Sequence, residues 1–418
     1  MRFSTNLLTF VLSATALVSA GVIERRGGSV TMLTKASQRH PDGAVYFITN
    51  EPQGNMIITA SIGSDGNLRL DRAVSAGGRG LHGVTANGNT GTDGLFSQGS
   101  IQVSAKAGVL ATVNAGSDTV SLFKIDPRKP TNITPLGDPV SSEGEFPSSV
   151  AFNADGSRLC VLNGGAINGV NCYTVDKELG LVQIPNSLRY LGFNQTTPAN
   201  GPPGSVSQIA FSEDGSKLLA SFKGTATAPG YLASWDVQAD GSLSAQNGQV
   251  ALAQGGMVAF SLTPIPKQNA FFVADPGVGY AVVDLSGKGR SSSVAITGQM
   301  ATCWSAYSAK TGNYYAIDVA GNAIREVALD GNLKGSVVAS YTVPAGTSPI
   351  DSETATIRGK DYLYVLGANA TTVEVFALNG PAKAQLVSSV NVSGPAHTAG
   401  VPIQGSNLQG MATYVSPW

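Results

Sequence analysis

Apolar residues along this chain fall in short runs, and turn residues separate the runs. Between Val150 and Ile184 there are four such runs: VAF, RLCVLN, VNCYTV and LGLVQI. Short apolar runs bounded by Gly, Asn and Asp predict strands and not helices. The first two are joined by Ala154-Asp155-Gly156-Ser157, where Gly tolerates the positive φ of a tight hairpin turn. The same strand, Asp-Gly turn and strand recur at Ile209–Ser221, IAFSEDGSKLLAS. A second signature repeats almost literally before an outer strand: Asp65-Gly66-Asn67-Leu68, Asp240-Gly241-Ser242-Leu243 and Asp330-Gly331-Asn332-Leu333. Repeating units of four antiparallel strands at this spacing predict an all-β radial array of blades, a β-propeller.

Seven units can be laid along the chain. Blade 2 begins at Ser100, blade 3 is the Val150–Ile184 stretch, and blade 4 runs from Ser207 through YLASWDV. Blade 5 holds MVAFSLTP, AFFVADP, GYAVVDL and SSVAIT, blade 6 spans residues 302–341, and blade 7 starts at SETATIR and ends near Ala384–Val392. The first unit offers AVYFITNE, NMIITASIG and NLRLDRAV but no inner strand ahead of them. The C-terminal run 408–415, LQGMATYV, supplies one, since a ring must close or leave two open sheet edges. The expected fold is therefore a seven-bladed propeller of four-stranded antiparallel blades, closed by its C-terminal strand. Two stretches fit no strand, the Gly-rich 77–98 and the Pro-rich 193–204. Both lead into an inner strand, so both should arch over the same channel mouth.

Composition adds the setting. The 418 residues carry a formal net charge of −1, which argues against nucleic acid or an anionic membrane as the main partner. Residues 1–20 read as a secretory signal: Arg2, an apolar core from Leu7 to Leu17, then Val18-Ser19-Ala20. Residues 21–26 end in Arg25-Arg26, either a short propeptide or a solvated charge pair, and 27–418 form a single propeller domain. No other run is long enough to span a bilayer. Export permits disulfides, and Cys160 and Cys172 lie on neighbouring strands nearly opposite each other, which predicts a bond between them and a free, buried Cys303. Four sequons, at Asn132, Asn194, Asn369 and Asn391, fall at turns or loops and predict N-glycosylation. Together these features imply a secreted or cell-wall-associated monomer.

The strand, Asp-Gly turn and Asp-Gly-x-Leu pattern over residues 40–418 resembles the seven-bladed lactonase propellers. These include 6-phosphogluconolactonase-like proteins and fungal 3-carboxymuconate cyclases. With its leader, the chain is similar to the secreted cyclase-like glycoproteins of fungi. The resemblance implies a small-molecule site at the channel mouth, where active relatives present His, Arg and Glu. This chain departs from that pattern, because the segments leading into the inner strands are mostly neutral: Phe96-Ser97-Gln98, Pro147-Ser148-Ser149, Ser205-Val206-Ser207 and Thr302-Cys303-Trp304. Cyclising a tricarboxylate needs cations for several carboxylates and an acid for the carbanion, and none of these segments carries an arginine.

Candidate chemistry narrows accordingly. Glu145, His82 and Arg79 are the catalytic candidates, Glu145 as base or metal ligand and the other two as donors from the 77–98 loop. Gln98, Gln208, Asp351, Glu353 and Gln409 are the candidate ligand-binding lining, although Asp351 and Glu353 also read as flanking a turn. His40 and His397 read as loop residues. No cofactor is required; a carboxylate ring without arginines should either take a divalent cation or hold one member protonated. Two functions stay open. One is a catalytically degenerate extracellular binding or adhesin-type protein, whose partner is a small molecule or a host or cell-wall surface ligand. The other is an active lactonase or muconate cycloisomerase.

Overall fold

The computed structural model describes residues 28–32 and 41–417 of the chain. The signal at 1–20, the segment 21–26 and His40 lie outside the described residues. The architecture is all-β: seven antiparallel sheets arranged as the blades of a propeller, with one six-residue α-helix among the described residues, Ser393–Thr398. The inner strands of blades 2 to 7 are Ile101–Ser104, Pro147–Phe152, Val206–Phe211, Thr263–Ile265, Thr302–Tyr307 and Pro349–Ile357. In blade 1 the inner place is taken by Gln409–Val415, which pairs antiparallel with Gly43–Ile48 and closes the ring.

The repeated turns have one cause. In each of the three Asp-Gly-x-Leu copies the Asp carboxylate accepts the backbone N–H two residues on, from Asn67 at 3.1 Å, Ser242 at 2.9 Å and Asn332 at 2.8 Å. The short acidic side chain thereby builds the turn itself. The following leucine is then buried, at Leu68, Leu243 and Leu333. The inner hairpins of blades 3 and 4 use the same bond, Asp155 accepting from Ser157 and Asp214 from Ser216. Gly156 and Gly215 hold φ of 74° and 70° there.

Packing runs between blades. Inner and second strands are buried on both faces, whereas the outer strands of blades 6 and 7, Gly335–Thr342 and Ala384–Asn391, alternate toward solvent. Phe272 of blade 5 stacks on Tyr314 of blade 6 at 4.7 Å between centroids. Cys160 and Cys172 face each other in register and are joined by a disulfide, while Cys303 is free and buried.

Three features differ from the sequence reading. Blade 1 has a fifth, outermost strand, Ser29–Thr31, too short to show a pattern. In blade 5 the regular inner strand is only Thr263–Ile265, since the Ala274 N–H is taken by Ser261 Oγ at 3.2 Å in place of a ladder carbonyl. Leu243 forms only an isolated bridge with Val237, and the outer strand of blade 4 is Gly248–Ala251.

Removing residues 405–418 takes away the closing strand, and the truncated protein should aggregate or fail to be exported; an unchanged melting temperature would refute the clasp. Replacing both Cys160 and Cys172 by Ser should cost about 2–3 kcal/mol in denaturant unfolding, the scale for a short closed loop.

Candidate functional site

The two long connections cap one end of the channel. They meet through a short parallel pairing of Val84–Thr85 with Asn200–Gly201. Val84 donates its N–H to the Ala199 carbonyl at 2.9 Å. The Phe96 ring lies against both loops: a Cβ on Gly83 would be 2.4 Å from it and one on Gly201 2.7 Å. Glycine at these two positions is what lets the loops close on the ring. Asn50 of blade 1 anchors the first loop by a two-way pairing with Leu81, at 2.9 and 3.2 Å.

Beyond Phe96 the chain descends into the channel. Ser97 Oγ donates to the Ser148 carbonyl at 2.8 Å, and the Trp304 indole donates to the Ser97 carbonyl at 3.0 Å. Gln98 spans the ring. Its amide donates to the Ser305 carbonyl and accepts the Ser305 N–H, both at 3.0 Å, while its backbone carbonyl accepts Ser149 Oγ at 2.8 Å. One glutamine thus ties blade 3 to blade 6 across the channel.

The inner strands are shaped for this. In blades 1, 3, 4, 6 and 7 the register with the second strand slips by one extra residue near the capped end. Such bulges re-aim side chains. Ser148, Ser207, Cys303, Asp351 and Gly410 all lie within the slipped segments.

Three buried charged groups sit under the cap. Lys223, wholly buried, donates to the Phe96 carbonyl at 2.6 Å and the Val206 carbonyl at 2.5 Å, with the Phe260 ring centroid 4.9 Å away. Two acceptors satisfy both N–H groups of a neutral amine, and burial pushes the Lys223 ammonium down from its usual range. Asp93, in the cap, accepts the Ser97 N–H at 3.1 Å; burial pushes its carboxyl up, with Lys223 the main opposing charge. Asp351 accepts the Gly410 N–H at 2.8 Å and is raised well above the ordinary carboxylate range, by burial first and by Asp93 in addition. Glu353 lies further along the same strand; its residue surface is only half-buried, yet desolvation of the carboxyl pushes it up to about 7.

Gln98, Gln208, Asp351, Glu353 and Gln409 all line the channel. Asp351 and Glu353 flank no turn; they belong to the inner strand Pro349–Ile357, which begins three residues ahead of the SETATIR run. Arg79 and Glu145 do not join them. Both stand at the rim, where Asp118 senses the two charges and Glu145 accepts the Thr197 hydroxyl. His82 is held within the cap, Nδ1 2.5 Å from the Gly83 carbonyl and Nε2 2.7 Å from that of Gly91. Among the described residues no group of three or more His, Cys, Asp or Glu is placed to hold a metal ion. Asp93 and Lys223 were missed from sequence: Asp93-Gly94 reads as an exposed turn, and Lys223 as a charge ending a strand.

Residues 36–189 match the family described as Lactonase, 7-bladed beta-propeller. Over that stretch, less than half of the chain, the sequence is similar to the lactonase propellers. Similar solved structures include the periplasmic gluconolactonase of Pseudomonas aeruginosa, with TM-score 0.63, 16% identity, and coverage of 90% of this chain and 99% of that one. Candidate 6-phosphogluconolactonases from Bacteroides uniformis (0.60, 16%, 84% and 97%) and Bacteroides fragilis (0.58, 13%, 86% and 97%) are also similar. At these identities the likeness concerns the propeller fold and not its chemistry. No curated protein matches the chain by sequence.

The raised Glu353 carboxyl has a signed consequence. A carboxyl whose folded pKa lies near 7 and whose unfolded value is 4.5 keeps its proton only in the folded state between those values. Stability should then fall as pH rises from about 4.5 to 7, by roughly 1–3 kcal/mol from this group. Glu353→Gln should flatten that segment of the stability curve and stabilise the protein at pH 8, as read by urea unfolding at several pH values.

Proposed function

We propose that this lactonase-like propeller is a secreted glycoprotein that serves as an extracellular or cell-surface binding module and turns over neither lactones nor muconates. The capped channel mouth carries this reading. The seven inner strands contain no Arg, Lys or His, and Asp351 and Glu353 are their only carboxylates. The buried lysine of the channel wall, Lys223, is committed to two backbone carbonyls. Arg79, the arginine of the cap, points its charge to the rim near Asp118 and not to the interior cluster. Clamping several carboxylates of a muconate needs free cations, and these groups do not provide them. The leader-like first 20 residues support export, and the exposed side chains of Asn194, Asn369 and Asn391, with the half-buried Asn132, suit glycosylation. A cell-wall or host surface ligand fits this setting.

One observation favours the alternative, a lactonase working from the uncapped side. A carboxyl titrating near 7, as at Glu353, is suited to general acid–base work at neutral pH. The two readings separate in one assay. Purified protein is given gluconolactone, 6-phosphogluconolactone and carboxymuconate substrates, with metal content measured in parallel. The binding reading expects hydrolysis at the protein-free rate and no stoichiometric metal. Turnover that disappears in Glu353→Gln would overturn it.

A further inference from the structure

The end of the channel away from the cap holds a cavity of about 420 Å³. Its walls come from the far ends of the inner strands of blades 2, 3 and 4, with Leu262 and Pro264 of blade 5 closing one side. That volume lies inside the usual range for small-molecule sites, roughly 300–1,000 Å³. The lining carries no carboxylate, and its single cation, Lys106 at the rim, is shared with Asp155 of the next blade.

Two amides face this space with bonding capacity to spare. Gln208 is 7% exposed and accepts the Leu262 N–H through Oε1 at 2.6 Å. That bond fixes the amide and leaves Nε2, which makes no hydrogen bond to the described residues, to the cavity. Gln102 is half-buried on the facing strand, and its amide is likewise unengaged. Phe152 and Phe211, both half-buried at the ends of their strands, add apolar edge to the lining where they pack into the clusters between blades. Amide donors and acceptors beside aromatic carbon, with little net charge, match a ligand that is polar at its edge and apolar on its face.

We propose that this cavity is a binding site for a neutral pyranose sugar, whose ring hydroxyls are met by the Gln102 and Gln208 amides and whose C–H face rests on Phe152 and Phe211. The site extends the binding reading above, but Glu353 is not among its walls, so lactone turnover that disappears in Glu353→Gln would end that reading and leave this one standing.

The test is saturation-transfer NMR on the full-length secreted protein with the methyl glycosides of glucose, galactose, mannose and N-acetylglucosamine. At least one should show transfer from the protein. Gln102→Ala should weaken its binding about fivefold, the scale of one lost hydrogen bond. Ala105→Trp, at an exposed position on the cavity rim, should abolish it by filling the mouth. Melting curves confirm that both variants fold; should Gln102→Ala misfold, Lys106→Ala with Ala105→Trp carries the test. No transfer to any of the four glycosides, or transfer unchanged in Ala105→Trp, would overturn the proposal.

Discussion

Everything in this molecule depends on the antiparallel pairing of Gln409–Val415 with Gly43–Ile48. No blade is a stable object alone, because each buries its faces only against its neighbours. The pairing turns a row of seven sheets into a ring and leaves no inner edge unpaired. It also sets the chemistry. Gly410, in the slipped segment of that same strand, donates its N–H to Asp351, so the closing strand satisfies a carboxyl in the neighbouring blade. Thr413 reaches the same blade through the Thr354 carbonyl at 2.9 Å.

A closed ring leaves a channel, and a channel lined by strand edges must be filled or hydrated. This chain fills one end with its own loop. The Phe96 ring supplies apolar bulk, Gln98 supplies a cross-tie, and the Phe96 carbonyl gives Lys223 a partner. The cap and the buried charges are therefore one structure: lifting Phe96 would strip an acceptor from a buried amine, which is costly in a low-dielectric site. The opposite end has no such filling, which divides the channel into an occupied half and an accessible half.

Most of the fold was legible in the sequence because its turns are built by local bonds. Asp65, Asp240 and Asp330 each close a turn within two residues, so spacing alone reveals them. Cys160 and Cys172 were legible for the same reason, a short hairpin fixing their register. The interior was less so. Gln98, Asp351 and Gln409 could be placed near the channel, since they precede or begin inner strands. Lys223 and Asp93 could not, because what buries them is a loop whose contacts span more than a hundred residues in sequence, as between Lys223 and Phe96. The inner-strand bulges were equally invisible: one extra residue in a strand of six changes which side chain faces inward without altering the apolar pattern.

The outermost strand of blade 1, Ser29–Thr31, and its innermost strand, Gln409–Val415, bracket a single five-stranded sheet. A pull applied between those two strands is therefore carried across the hydrogen bonds of blade 1, with blade 7 bracing the inner strand. The outer contact is a three-residue ladder, Ser29–Thr31 against Arg72–Val74, and would peel first; the inner one, interlocked with blade 7 through Gly410 and Thr413, would hold longer. Under tension the ring is thereby built with a sacrificial latch outside and a reinforced seam within.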